Sequence, residues 1–564
     1  MKLNGITFCV LAVVALVGAY FGKLSNPFLI DDNQTIVDSV EIESLADSWV
    51  PEKDTPLAGR RIPSVSLALD YALFGRDPLG FHRTNLVFHL LNGLLVFLLL
   101  VALCQGPRAG DLLRDNAQPF AFFVSLLWVV HPLHVEPVLY ASQRTELCFA
   151  FFALLTFLFA FRAMRTSSWF DLVATGVAGL AAAHSKESAI LLIPLIVLLG
   201  RGLVSGSFGA FFKEHLRIVV ALVPSLIAVV LIVQSQPRAL SVEMYWDNVE
   251  RGNDYLLTQG GIVWHYFKLV FLPLDQVAFY GHLVPAGSTA QKVGLAALAV
   301  LCVAGLFAIA RFPRAGLFGA WILGLLAPAS SFAVVHTEVG ADRRMYLPLI
   351  GFLFLIALAI LVLSTSKIPR KAAAIGAFVA MILLLVQTRV RADEYQDLER
   401  LWSLDLERYP QSAESDYSLG EIYRQRGEFD RAIQKYRDTL AKNDQHRMAR
   451  TNLGALLFQA GQRDEGFQLL QEAAVMDGVF HEPWNNLGSA LAMMQRWDEA
   501  EDAFRKGIQV APDVPGLRMG LGKVLYFKNL KSEARNIFES LAKRREVLTP
   551  EESAELDQLL KAVR

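Results

Sequence analysis

Charge is the first thing this chain is short of. Of 564 residues only 19% are Asp, Glu, Lys or Arg, while 54% are hydrophobic. A soluble domain carries about 25% charged residues. The shortage is uneven. The first two thirds consist of long apolar runs broken by short polar loops, and the last third has ordinary soluble composition. Charge of one sign is also lacking. The formal net charge is −1, which excludes a globally basic nucleic-acid binder. Cysteine is scarce too: Cys9, Cys104, Cys148 and Cys302 all fall in apolar segments, so no disulfide framework is indicated. What remains is an all-α chain, a polytopic membrane domain followed by a soluble one.

A window of about 19 residues tests for a spanning helix. It selects about eleven segments, near 5–22, 84–104, 118–133, 144–162, 170–186, 187–203, 216–234, 290–310, 315–333, 345–364 and 371–388. The first resembles a signal peptide but has no small-x-small site before Lys23, and it reads as a retained helix. Ile262 to Pro273 is apolar but short, with Trp264, His265 and Lys268 inside it, so a re-entrant or interfacial helix is expected there.

Basic residues then set the orientation. With the N-terminus inside, every inner loop carries Lys or Arg: Lys2; Arg108 and Arg114; Arg162 and Arg165; Arg201, Lys213 and Arg217; Arg311 and Arg314; Lys367, Arg370 and Lys371. An odd number of spans puts the C-terminal domain outside, which is the periplasm in a bacterium.

That domain repeats. Gly420, Gly454, Gly488 and Gly522 are spaced by 34, and each follows a leucine. Twelve residues on come Ala432, Gly466, Ala500 and Ala534. Four further come Tyr436, Leu470, Phe504 and Phe538. This is the tetratricopeptide period, in which a small residue on one helix admits a bulky one from its partner and the pairs stack into a superhelix. A concave surface for protein or peptide is expected, against the alternative of a plain spacer. The domains read as 1–388 (membrane), 389–412 (connecting helix or half-repeat), 413–546 (about four repeats) and 547–564 (capping helix).

The unusual residues collect in outer loops. These are Asp31-Asp32; His131, His134 and Glu136 with Arg144 and Glu146; His184, Lys186 and Glu187; and His336-Thr337-Glu338 with Asp342, Arg343, Arg344 and Tyr346. Ionisable groups at a membrane rim usually mark function. Each cluster also has a plain structural reading. Asp31-Asp32 could cap a helix. Asp32, His131, His134 and Glu136 could ligate a divalent metal or form a hydrogen-bonded network. Lys186 and Glu187 could pair with each other or with a neighbouring helix. Arg343 and Arg344 could be snorkelling residues.

Acids converging with Arg and Lys at a membrane surface suit a lipid-phosphate sugar donor. Cations at Arg343, Arg344, Lys186 or Arg144 would hold the leaving phosphate. A carboxylate, Asp31 or Asp32, would take the acceptor proton. With one base and no protein nucleophile, a single inverting displacement follows. No firm cofactor is implied.

The chain resembles the transmembrane and tetratricopeptide-repeat O-mannosyltransferases and their bacterial relatives. The matching residues are Asp31-Asp32; Asp70-Tyr71-Ala72-Leu73-Phe74-Gly75 with Pro78-Leu79-Gly80-Phe81-His82; Asn85 to Asn92; and His131-Pro132-x-His134-x-Glu136. Arg144, Ser185-Lys186-Glu187, Asp342-Arg343-x-x-Tyr346-x-Pro348, Trp402 and the repeats follow. The resemblance implies a GT-C type membrane glycosyltransferase, a polyprenyl-phosphate sugar donor (mannose in the eukaryotic relatives) and a protein Ser or Thr acceptor presented by the repeats. It implies Asp31 or Asp32 as base and Arg343 as phosphate partner. Its His131, His134, Glu136, Glu187, Asp342 and Tyr346 would bind substrate or form a supporting network. Departures occur at Arg60-Arg61-Ile62-Pro63, where Arg-Pro is usual before an amphipathic helix, and at Gln143-Arg144-Thr145-Glu146, where Gly-Arg-Ala-Asp is usual. The repeat array is also short.

Two rivals stand beside this reading. One is a ligase or polymerase of lipid-linked oligosaccharide, which would use the same base and cations. The other is a membrane scaffold that recruits partners through its repeats. Transport would call for charged mid-span residues, and the spans have almost none.

Overall fold

The computed structural model describes residues 4–51, 55–235, 249–280, 287–330, 339–365, 369–476, 480–512, 514–545, 548 and 550–563. The cluster His336-Thr337-Glu338 lies outside the described residues. Among the described residues the regular structure is helical throughout, with no strand. The chain divides into two compact units, Met1–Leu404 and Asp405–Arg564.

In the first unit each of the eleven apolar segments overlaps helix among the described residues. Among the described residues six helices are long and apolar enough to cross a membrane: Pro78–Cys104, Ala141–Thr166, Glu187–Ser205, Phe208–Ser235, Thr289–Arg311 and Lys371–Glu394. A seventh crossing arises if the bent pair Ala117–Val129 and Pro132–Leu139 is one span. The 57° bend between them has a local cause. Pro132 offers no N–H and pushes His131 into extended backbone, at φ −79° and ψ 133°.

The short helix expected at Ile262 to Pro273 is longer. It belongs to Val249–Phe271, a 23-residue helix. The polar residues before Ile262 keep good helical spacing, which a hydropathy window does not register. This helix touches Thr289–Arg311 at two glycines. A Cβ on Gly260 would lie 2.6 Å from Gln291 O, and one on Gly294 would lie 2.4 Å from Gly260 O.

The long first loop is not extended. It folds into short helical turns, Ile30–Asp32, Asn33–Val37, Glu41–Glu43 and Leu45–Ser48, and then the helix Arg61–Phe74. Ile36, Ile42, Leu57, Leu67 and Phe81 are buried together beneath them. The helix stops at Gly75, whose φ of +61° suits a residue without Cβ.

The first unit runs past residue 388 and takes in most of the segment read as a connector. Lys23 pairs with Asp393, and the Gln396 amide donates to Lys23 O at 2.6 Å.

The second unit is four helix pairs, Ala413–Gln425 with Phe429–Lys442, Arg447–Gln459 with Arg463–Val475, Glu482–Met493 with Trp497–Val510 and Pro515–Phe527 with Lys531–Ala542; the helix Pro550–Ala562 follows. The repeat glycines do what their spacing requires. A Cβ on Gly420 would lie 2.6 Å from the Tyr436 ring, and one on Gly522 would lie 2.4 Å from Phe538. The small residues Ala432, Ala500 and Ala534 are wholly buried.

Candidate active site

Asp31 and Asp32 are neighbours with opposite environments. Asp31 is exposed, whereas Asp32 is wholly buried. The Asp32 carboxylate accepts three backbone N–H groups: Leu29 at 3.0 Å, Ala141 at 3.3 Å and Ser142 at 2.7 Å. It therefore caps no helix that follows it. It ties the first loop to the turn after Leu139. Burial pushes its carboxyl up to about 7, against the pull of those N–H groups. Asn26 adds to the tie by donating to Leu139 O at 3.0 Å. The Asp31 N–H donates to the Tyr140 hydroxyl at 3.0 Å, which fixes where its carboxylate starts.

Tyr140 was not among the residues the sequence singled out. Burial, then Asp31 and Asp32, raise its hydroxyl well above the ordinary range, and Arg343 pulls the other way. Tyr140 thus lies within the fields of both acids and of Arg343. A tyrosine four residues after Glu136, in a loop already dense in ionisable groups, was the available signal.

Arg343 meets Glu136 twice. Its backbone N–H donates to Oε2 at 2.9 Å, and its guanidinium pairs with Oε1. The second helix of the bent pair, Pro132–Leu139, and the loop before Pro348–Leu363 are joined this way. Asp342 turns inward. It is buried and accepts from Gln276 Nε2 at 2.6 Å and from the Tyr280 hydroxyl, with Arg391 at 4.0 Å. Burial raises its carboxyl, and Arg391 opposes that.

Lys186 pairs with Glu146, not with its neighbour Glu187. Glu187 takes the Arg60 guanidinium through two contacts, at 3.3 and 3.2 Å. Lys186, Glu146 and Arg344 line one narrow cleft with Phe149, Leu347 and Pro348. Two cations and an apolar wall therefore meet at one place.

The phosphate role read for Arg144 is corrected. Its side chain is wholly buried and every face of the guanidinium is taken. It donates to Ser66 Oγ at 2.6 Å, Asp70 Oδ2 at 2.6 Å, Phe81 O at 3.0 Å and Asn85 Oδ1. Thr84 Oγ1 donates to the other Asp70 oxygen at 2.7 Å. This hub locks Arg61–Phe74 and Pro78–Cys104 to the helix that Arg144 begins.

The metal set is corrected as well. His131 Nε2 meets Val270 O at 3.3 Å, and Nδ1 meets the Leu133 N–H at 3.3 Å. A carbonyl can only accept, so Nε2 carries the proton and the Nδ1 lone pair is already used. Glu136 is taken by Arg343 and Asp32 by backbone. His134 packs its ring on Trp128 at 4.4 Å and on Tyr346 at 4.7 Å. Among the described residues no three His, Cys, Asp or Glu groups converge as a metal would need.

Tyr346 is a structural link. Its hydroxyl receives Asn92 Nδ2 at 3.1 Å and lies 2.8 Å from His89 Nδ1. His89 Nε2 faces Val129 O at 3.0 Å, so Nδ1 is the acceptor and the Tyr346 O–H donates to it. The chain Asn92, Tyr346, His89, Val129 is complete and runs in one direction.

Comparison with known proteins agrees with the repeats. Residues 417–448 and 481–514 match models of the tetratricopeptide repeat. Protein O-mannosyl-transferase TMTC3 of Homo sapiens is 21% identical over 95% of this chain and 64% of its own length. A protein O-mannosyl-transferase of Caenorhabditis elegans is 23% identical over 72% of this chain and 58% of its own. Protein O-mannosyl-transferase TMTC4 of Homo sapiens is 26% identical over 75% and 64%. The chain thus spans 58–64% of the length of these curated relatives.

Proposed function

We propose that this chain, a membrane protein whose relatives are protein O-mannosyltransferases with tetratricopeptide repeats, transfers a sugar from a polyprenyl-phosphate donor to a protein Ser or Thr hydroxyl. The sugar in this reading is mannose, as in the names of the relatives. The repeats hold the acceptor protein, and chemistry takes place on the extracytoplasmic side.

Asp31 acts as the base. It is the exposed member of the acidic pair, and its backbone is held by Tyr140. As the acceptor oxygen bonds to the anomeric carbon, its proton passes to Asp31. The bond from that carbon to the phosphate oxygen breaks, and polyprenyl phosphate leaves with the electron pair. One displacement inverts the anomeric centre. Lys186 and Arg344 receive the departing phosphate in the cleft they share, and Phe149 and Leu347 face the start of the lipid tail. Arg343, within the field of Tyr140, steadies charge on the side of Asp31. Asp32 is a positioning residue that keeps the loop of Asp31 on the turn of Tyr140.

The observation that carries this reading is the split of Asp31 and Asp32 into one exposed carboxylate and one buried anchor. The test is transfer from polyprenyl-phosphate mannose to a Ser/Thr peptide by the purified full chain. Loss of transfer in Asp31→Asn with folding intact supports it. Wild-type rates in Asp31→Asn, Asp32→Asn and Arg343→Ala together would sink it. An oligosaccharide donor used in place of the monosaccharide would favour the ligase.

A further inference from the structure

A groove of about 660 Å³ runs between the helices Trp169–Ala183 and Phe208–Ser235. Its walls are apolar and include Leu172, Val173, Val177, Leu180 and Val220. Its floor is formed where the two backbones approach. A Cβ on Gly176 would lie 2.9 Å from Ala221 O, and one on Gly179 would lie 2.4 Å from Leu222. Trp169 to Leu180 covers about 16 Å at 1.5 Å per residue. That is half of a hydrocarbon core of about 30 Å, so the groove is one leaflet deep.

One end of the groove is polar. Trp169 is 76% exposed and Phe170 is 70% exposed there, as aromatic residues at a membrane interface are. Arg217 lines that end. Its Nε is buried with no hydrogen-bond partner among the described residues, and its Nη2 reaches only Ala163 O, at 3.5 Å. Nearby Arg162 differs, because Asp171 neutralises it at 3.1 Å. One turn before Arg217, Lys213 and Glu214 are both exposed and offset each other in charge. An open apolar groove that ends at an arginine with no ion pair among the described residues matches a molecule with a long chain and a negative head.

We propose that this groove binds one phospholipid with an anionic headgroup, its acyl chain along Val173 and Val177 and its phosphate on Arg217. The proposal rests on the chain being a membrane protein and is independent of the sugar-transfer reading. A second copy of the chain would also cover apolar surface, and a lipid-free dimer is the competing outcome of the test.

Native mass spectrometry of the full chain, released from detergent micelles, tests this with phosphatidylglycerol and phosphatidylcholine of identical acyl chains. The expected result is retention of one phosphatidylglycerol at roughly fivefold higher occupancy than phosphatidylcholine. Arg217→Gln removes that preference while retention of phosphatidylcholine persists. Val177→Trp fills the slot from an exposed position and lowers retention of both lipids. Equal retention by the wild type, an unchanged preference in Arg217→Gln, or a lipid-free dimer that Val177→Trp breaks each overturns the proposal.

Discussion

Ser142 donates its backbone N–H to Asp32 Oδ1 at 2.7 Å, across 110 residues of sequence. The bond fastens the first loop to the turn that begins the Arg144 helix, and it uses the carboxylate next to the exposed one. The two acids are therefore expected to fail differently when substituted. Asp31→Asn should lower transfer by about 10²–10⁴-fold, the usual contribution of a general base, with little change in stability. Asp32→Asn puts an amide N–H against a backbone N–H and should cost about 1–3 kcal/mol of stability. Turnover and thermal midpoint, measured on both variants, separate the roles.

Asp32 should also make stability depend on pH in an unusual direction. Its folded pKa, about 7, lies above the unfolded value of about 3.9. Between those values the folded chain keeps a proton that the unfolded chain has lost. Stability from this group is therefore full below about 3.9 and is lost as pH rises through about 7. A salt-bridged aspartate behaves the opposite way. The melting midpoint of the wild type should fall between about pH 4 and 7, relative to Asp32→Asn, and level off above that. Parallel curves for the two proteins would refute this.

Asp70→Ala should be severe. It strands the buried Arg144 guanidinium, and removing one partner of a buried pair costs about 3–5 kcal/mol. Arg144→Lys should also destabilise, because an ammonium cannot reach Ser66, Asp70, Phe81 and Asn85 together. Yield of folded protein and its thermal midpoint are the readouts.

Lys186→Ala and Arg344→Ala should weaken use of the donor while leaving use of the acceptor peptide near normal. Each charge-assisted hydrogen bond to phosphate contributes about 1.5–3 kcal/mol, so donor kcat/KM should fall roughly 10–150-fold. Equal effects on donor and acceptor KM would argue against the cleft as the phosphate site.

Gly522→Val tests the repeats. The added Cβ would lie 2.4 Å from the Phe538 ring, and overpacking of this kind costs about 1–3 kcal/mol. Binding of an acceptor peptide should weaken along with the melting midpoint of the repeat unit.

Much of this was legible in the chain. Apolar runs marked the helices because a membrane and a helix bundle ask for the same residues. A 34-residue spacing of Gly420, Gly454, Gly488 and Gly522 marked the repeats because each glycine answers one bulky residue at a fixed offset. Pairing within the outer loops was not legible. Arg144 and Lys186 look alike in sequence, yet one is sealed against Asp70, 74 residues away, and the other lines a cleft. Burial depends on which loops meet, and hydropathy windows carry no such information. The same limit hid Tyr140 and left Asp31 and Asp32 indistinguishable. The helix Val249–Phe271 was cut short because a window weighs composition and ignores amphipathic spacing.

The carboxylates beside the site's cations have one more consequence. Lys186 already holds Glu146, and Arg343 already holds Glu136. An arriving anion faces a tethered rival whose effective concentration is at least about millimolar. A neutral solute loses that contest, and the singly charged phosphodiester of a polyprenyl-phosphate sugar can compete in it. When the phosphate moves away, the tethered carboxylate swings back. Departure then becomes an exchange of partners, in which no cation is left bare in a dry cleft.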